Sequence, residues 1–199
     1  MSLLVGCCGV SGSGKTTLCE AMASDKVVYL KTTISDIYKS ASKHPTVRMT
    51  LSERLDVQQT ILETLTAQWR AALERYENSD VIILTDRSPL DFIAYTMAEV
   101  SGYDEIDKAL ANRLLKYVDD CWRAAEMFST HIHFPPGLPP VANLDGKVRA
   151  AQNKAYNLHY DTILLGLMPP GKIRLYGFDH DDRVRQLTRH FEDTIAFTI

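Results

Sequence analysis

Near the start of the chain, GVSGSGKTT (residues 9–17) combines residue types suited to one kind of ligand. It fits the spacing G-x-x-x-x-G-K-[ST] without a mismatch, through Gly9, Gly14, Lys15 and Thr16. Gly9, Gly12 and Gly14, with Ser11 and Ser13 between them, let successive backbone N–H groups converge on an anion. An apolar run precedes the loop and the helix-forming TTLCEAMA follows it. The anion would therefore sit at a helix N-terminus, where the dipole favours phosphate. Lys15 supplies charge to β- and γ-phosphates, and the Thr16 hydroxyl suits magnesium. The expected ATP-binding set is Gly9, Ser11, Gly12, Ser13, Gly14, Lys15, Thr16 and Thr17. A flexible glycine turn is the competing reading, and the agreement of motif and context argues against it.

A second stretch, LTDRSPLDFIAY (84–95), follows the apolar VIIL. An acid at a strand end is placed to hold magnesium, so Thr16 and Asp86 form the expected metal pair. The next residue is Arg87, where a hydrolysing ATPase of the AAA type keeps a second carboxylate to activate water. Ser88, Pro89 and Asp91 have the types and spacing of N-cap, N1 and N3 of a new helix. That puts Arg87 at a strand-to-helix corner on the edge where open α/β sheets bind ligands. The alternative for Arg87 is an ordinary ion pair with a nearby carboxylate. A GTPase is set aside because NKAY (153–156) has Tyr156 where a guanine reader needs an acid.

These features together resemble the P-loop kinases: deoxynucleoside, thymidylate and nicotinamide riboside kinases, phage polynucleotide kinases, and phage kinases of 5-hydroxymethyluracil in DNA. The carriers are the Walker-type loop, Asp86-Arg87-Ser88, and Ala94-Tyr95 in the next helix. The resemblance implies Mg-ATP as donor, magnesium at Asp86, and Arg87 on the acceptor or the transferring phosphoryl. It also implies a general base beyond the second strand. Asp36 is the carboxylate near that strand end, and its competing role is an ordinary first-turn or capping acid. Lys43 and Arg48, in the polar stretch that follows, are candidates for acceptor binding with Asp36 and Arg87. Thr32 and Thr33 stand where thymidylate kinases usually have an Arg, which tips the balance toward a hydroxyl rather than a phosphate acceptor. A free nucleoside and a base within DNA both remain open.

Further along, DGKVR (145–149) resembles the DG-x-R segment of nicotinamide riboside kinase-like proteins. It implies that Lys147 or, by preference, Arg149 closes over the phosphates and neutralises transition-state charge. Lys15, Asp36, Asp86, Arg87 and Arg149 make up the expected catalytic set. YGFDHDDRVRQL (176–187) resembles the segment that packs on adenine, with Gly177 and Arg183 as contacts; a plain charged helix is the alternative. His131 and His133 would share one face of a strand, and no third ligand accompanies them.

Positioning these groups takes alternating elements. Strands are expected over 3–9, 26–31, 80–86, 130–134 and 172–178, several of them apolar throughout, as for strands covered on both faces. Helices are expected over 51–76, with apolar residues from Leu55 to Leu73 at helical spacing and a Thr50/Glu53 capping box, and over 106–128. The alternation predicts a three-layer α/β/α fold of the P-loop NTPase kind with a five-stranded parallel sheet. We expect one domain over 1–199, with a lid over about 135–157 that runs into a helix near Ala150.

Composition bounds the rest. At 199 residues the chain can bury a core without disulfides. A net charge of −3 shows no basic surplus of the nucleic-acid-binding kind, although a local basic groove is compatible with it. Cys7, Cys8, Cys19 and Cys121 lack C-x-x-C spacing, which argues against zinc, and they suit buried thiols in a reducing compartment. No apolar run reaches the roughly 20 residues of a membrane span, and the N-terminus lacks the basic region of a signal peptide. The expectation is a cytoplasmic enzyme whose partners are a nucleotide donor and a nucleoside-type or DNA acceptor, with a homodimer open.

Overall fold

The computed structural model describes residues 2–32, 34–40, 49–101, 105–136, 154–177 and 179–196. The elements are β1 (Leu3–Gly9), α1 (Lys15–Met22), β2 (Val27–Leu30), α2 (Ile34–Ser40), α3 (Leu51–Arg75), β3 (Ile82–Thr85), α4 (Pro89–Val100), α5 (Lys108–Ala125), β4 (Thr130–Phe134), α6 (Lys154–Leu167), β5 (Ile173–Arg174) and α7 (His180–Ala196). The strands form a five-stranded sheet in the order β2-β3-β1-β4-β5. Every pairing is parallel. The α/β/α layering expected from the alternating runs is the observed fold.

Side chains alternate across a strand, and here both faces are apolar. Val5 and Cys7 of β1, Ile82 and Leu84 of β3, and Ile132 and Phe134 of β4 pack with Leu18 and Met22 of α1 and Leu187 and Phe191 of α7. Leu4, Cys8 and Ile83 point the other way, into a larger core with α3, α4, α5 and α6. Trp69 of α3 is its largest fully buried side chain. Its ring stacks with Phe92 at 6.3 Å and meets the edge of Phe128 at 5.0 Å.

Local signals in the sequence mark the starts of α3 and α4. Thr50 caps α3 in a capping box with Glu53, and Ser88 caps α4 in another with Asp91, Pro89 being in the first turn. The register pairs Gly6 of β1 with Thr85 of β3, so Asp86 is the first residue beyond β3, beside the chain that enters the glycine loop. β1 and β4 span the residues expected of them. β5 is shorter than the 172–178 read from sequence. Leu175 N still donates to His133 O at 3.2 Å, but Gln186 of α7 then takes both backbone groups of Tyr176, at 3.0 and 2.9 Å. Gly177 turns the chain at φ +72°. α5 likewise starts at Lys108 rather than 106, because the Asp107 side chain accepts from Leu110 N at 2.8 Å and caps it there. Among the described residues, no helix is long and apolar enough to cross a membrane.

Candidate active site

The glycine loop leaves β1 at the carboxyl edge of the sheet. A Cβ at Gly9 would lie 2.5 Å from the Phe134 carbonyl oxygen, so β4 admits only glycine there. Gly12 and Gly14 take φ +81° and +89°, which side-chain-bearing residues rarely adopt. A Cβ on Gly12 would meet nothing within 4 Å, so the loop faces open space. Gly14 caps α1 without a side-chain hydrogen bond, which leaves the first-turn N–H groups for a ligand. Ser13 is buried, and its Oγ has no partner among the described residues.

Lys15 is also buried. Its Nζ donates to the carbonyls of Gly9 at 2.5 Å and Val10 at 2.8 Å. Burial first, and then the Arg87 charge, lower its pKa to about 8 against the opposing charges of Asp91 and Asp86. A desolvated ammonium held by two carbonyls, an uncapped helix N-terminus and a hydroxyl without a partner among the described residues all suit a phosphate. Arg183 of α7 buttresses the loop. Its Nη1 donates to Ser13 O at 2.8 Å and its Nε to Gly177 O at 3.1 Å, with the guanidinium 5.6 Å from the centre of the Phe134 ring. Arg183 thus ties α7 to the phosphate loop.

Asp86 lies across from the loop. Thr16 donates to its Oδ2 at 2.7 Å and Thr32, just after β2, to its Oδ1 at 2.5 Å. Burial and the Asp86 charge raise the Tyr29 phenol pKa above its ordinary range. A hydroxyl and a carboxylate oxygen are the hard donors that magnesium takes, usually with phosphate oxygens and water completing the shell. The residues therefore fit the expected metal.

The Asp86–Arg87 corner is tightly fastened. Ser88 Oγ accepts from Leu90 N at 3.2 Å, and the Cys8 thiol lies 2.9 Å from the same oxygen. Asp91 Oδ2 accepts from Ser88 N at 3.3 Å, and its Oδ1 accepts from Gly9 N at 2.9 Å and from the Tyr160 hydroxyl of α6. Arg87 itself is half-buried. Among the described residues no hydrogen bond or ion pair engages it, so the ordinary salt-bridge alternative finds no partner there. Its charge acts on Lys15, on Tyr38 of α2 and on Tyr160 of α6.

Beyond Arg87 lies a polar wall in an otherwise apolar layer. Arg54 of α3 donates to Tyr95 Oη at 3.2 Å and pairs with Glu99 at 3.4 Å. Gln58, buried one helical turn further on, donates to Tyr38 Oη at 3.5 Å. Tyr95 meets Tyr156 edge-on at 6.4 Å. Burial raises the pKa of both of these phenols, so they are neutral hydrogen-bonding groups. Asp36 is exposed in the first turn of α2. Lys43, Arg48, Lys147 and Arg149 lie outside the described residues, as does most of the expected lid.

Several contacts here carry no signal in the sequence, even where one partner is a candidate by type. Thr32 on Asp86, Tyr160 on Asp91 and Arg183 on Ser13 join residues far apart in the chain. Gln58 did leave a local trace, as an amide among Leu55, Val57, Ile61 and Leu62 on the buried face of α3. His131 and His133 share a buried face, and His133 Nε2 lies 2.8 Å from Asp161 Oδ1. Among the described residues no group of three or more His, Cys, Asp or Glu is placed to hold a metal ion.

A parallel α/β sheet with a G-x-x-x-x-G-K-T loop at the first strand end, and a carboxylate 2.7 Å from the loop threonine, defines a P-loop nucleotide-binding protein. The model of the AAA_28 family, described as an AAA domain, matches residues 5–136, and the chain belongs to that family. The fold is similar to that in a solved structure of thymidylate kinase from Candida albicans. The two share 14% identity with a TM-score of 0.62, over 97% of this chain and 92% of that one. No curated protein matches the sequence.

Proposed function

We propose that the protein is a kinase that moves the γ-phosphoryl group of Mg-ATP to a hydroxyl of a nucleoside-type or nucleic-acid acceptor. One observation carries this reading. Asp86 accepts from the loop threonine, and the corner position beside it holds a half-buried Arg87, without a hydrogen-bond or ion-pair partner among the described residues, instead of a water-activating acid.

In the proposed reaction the γ-phosphorus bond to the ADP oxygen breaks while a bond to the acceptor oxygen forms. The acceptor proton passes to Asp36. Loop amides and Lys15 bind the phosphates, with Gly177 and Arg183 at the adenine end. Thr16 and Asp86 would hold magnesium, which when bound neutralises charge between the β- and γ-phosphates. Arg87, with Arg149 from the lid, stabilises charge on the transferring group. Lys43 and Arg48 contact the acceptor. Residues 1–199 act as one kinase domain in the cytoplasm.

A hydroxyl acceptor is supported by the wall beyond Arg87. It offers phenols and an amide, and its Arg54 is already paired with Glu99. A 5-hydroxymethyl pyrimidine within phage DNA belongs to this acceptor class. Two other readings each have one observation in their favour. A nucleoside monophosphate acceptor fits the thymidylate kinase-like fold, and an ATPase or switch acting on a partner fits the AAA family description. ATP consumption with and without acceptors separates them. Consumption that requires a hydroxyl acceptor supports the proposal, and fast acceptor-independent hydrolysis overturns it.

A further inference from the structure

Asp91 is almost fully buried, at 2% exposure, and donors from separate parts of the chain converge on its carboxylate. The Gly9 amide comes from the end of β1, the Ser88 amide from the corner after β3, and the Tyr160 hydroxyl from α6. A capping box alone would account for the Ser88 contact. It does not account for Oδ1, which reaches 82 residues back along the chain to Gly9. Gly9 is also the residue whose carbonyl holds Lys15 Nζ at 2.5 Å. On the other side, Ser88 directly follows Arg87. One carboxylate is therefore hydrogen-bonded both to the residue next to Arg87 and to the residue whose carbonyl holds Lys15, the two cations assigned to the phosphates. Tyr160 is 4% exposed and sits against both Asp91 and the Gly9 carbonyl, 3.5 Å from the latter.

We propose that Asp91, held in place by Tyr160, is a positioning residue for phosphoryl transfer: it fastens the start of the phosphate loop to the Arg87 corner and so sets the geometry between Lys15 and Arg87. The proposal rests on the kinase reading. Neither residue is placed on a substrate; both act through the groups they hold. The Lys15 side of the arrangement has an electrostatic counterpart. Asp91 is the largest charge opposing the pKa-lowering effects of burial and of Arg87 on Lys15. The neutral oxygen of an Asn could keep the Gly9 bond, but its amide would face the Ser88 N–H, donor to donor. Tyr160→Phe keeps the ring and removes only the hydroxyl.

The test is a double-mutant cycle between Tyr160→Phe and Arg87→Ala. Melting temperature, ATP affinity by direct binding, and kcat with an acceptor that the wild type phosphorylates are read for each variant. If the wild type phosphorylates no acceptor, acceptor-independent ATP turnover replaces kcat; that result counts against the kinase reading and leaves the cycle measurable. Tyr160→Phe should bind ATP within about twofold of the wild type and lose about tenfold in kcat, since sub-ångström misplacement of a transition-state group is enough for such a loss. In the Arg87→Ala background it should change kcat less than about twofold, because the group it positions is gone. Asp91→Asn should show the same pattern with a larger loss. A Tyr160→Phe enzyme with wild-type kcat overturns the proposal, as does a loss of equal size with and without Arg87, the signature of a purely structural role.

Discussion

The Thr16 hydroxyl donates to Asp86 Oδ2 at 2.7 Å, joining the first turn of α1 to the residue just beyond β3. This contact brings a hard-oxygen pair to the mouth of the glycine loop, and Thr32 holds the other Asp86 oxygen at 2.5 Å. Replacing the carboxylate by an amide keeps the shape and removes the charge. Asp86→Asn is expected to lower turnover by about 100-fold and to shift the magnesium requirement to higher concentration. A magnesium titration of steady-state turnover checks this; an unchanged midpoint would remove Asp86 from the metal site.

Arg87 is assigned to the transferring group rather than to the bound nucleotide. Arg87→Ala should leave ATP affinity within a few-fold of the wild type and lower kcat with acceptor by about a thousandfold, at the lower end of what arginine fingers contribute. Arg87→Lys should recover only a small part, because an ammonium lacks the planar fork. Direct binding measured alongside initial rates separates the two effects. A loss confined to ATP affinity would place Arg87 on the donor side.

His131 offers a pH test remote from the chemistry. It is buried beside Phe128, with ring centroids 5.3 Å apart, and neither ring nitrogen has a partner among the described residues. Burial pushes its pKa down to about 4. The unfolded chain, near 6.5, takes the proton first, so unfolding consumes a proton between those values. Stability is therefore fully present above about pH 6.5 and falls as pH drops through this window, by about 3 kcal/mol in all. His131→Gln should flatten that part of the acid limb, as read from denaturant midpoints between pH 7 and 4. Equal slopes in wild type and variant would contradict the assignment.

Trp69 anchors the larger of the two cores. It is fully buried against Phe92 and Phe128, and Trp69→Ala should lower stability by about 3–5 kcal/mol. Urea unfolding measures this directly; a loss below about 1 kcal/mol would show that the site refills.

Structure that follows from near neighbours is legible in the sequence. The two capping boxes, the apolar strands and the glycine loop each depend on residues a few positions apart, so residue type and spacing contain the answer. The end of β5 was misjudged because Gln186, on a later helix, takes the Tyr176 backbone from the ladder. The contacts that organise the site are of the same long-range kind. Tyr160 meets Asp91 across 69 residues, and Arg183 meets Ser13 across 170. No periodicity marks such pairs; they arise only when α6 and α7 pack on opposite faces of the sheet. Asp91 was read as a helix-start acid, which it is, and its bond to Gly9 lay beyond any local pattern.

Following the γ-phosphoryl group tests the central claim most directly. γ-Labelled ATP is incubated with the protein and, separately, nucleosides, nucleoside monophosphates, nicotinamide riboside, plain DNA and hydroxymethylated DNA. The account predicts label on a hydroxyl of one acceptor class, abolished by Lys15→Ala and strongly reduced by Arg87→Ala. Label found only as free phosphate, released at the same rate without any acceptor, would contradict it.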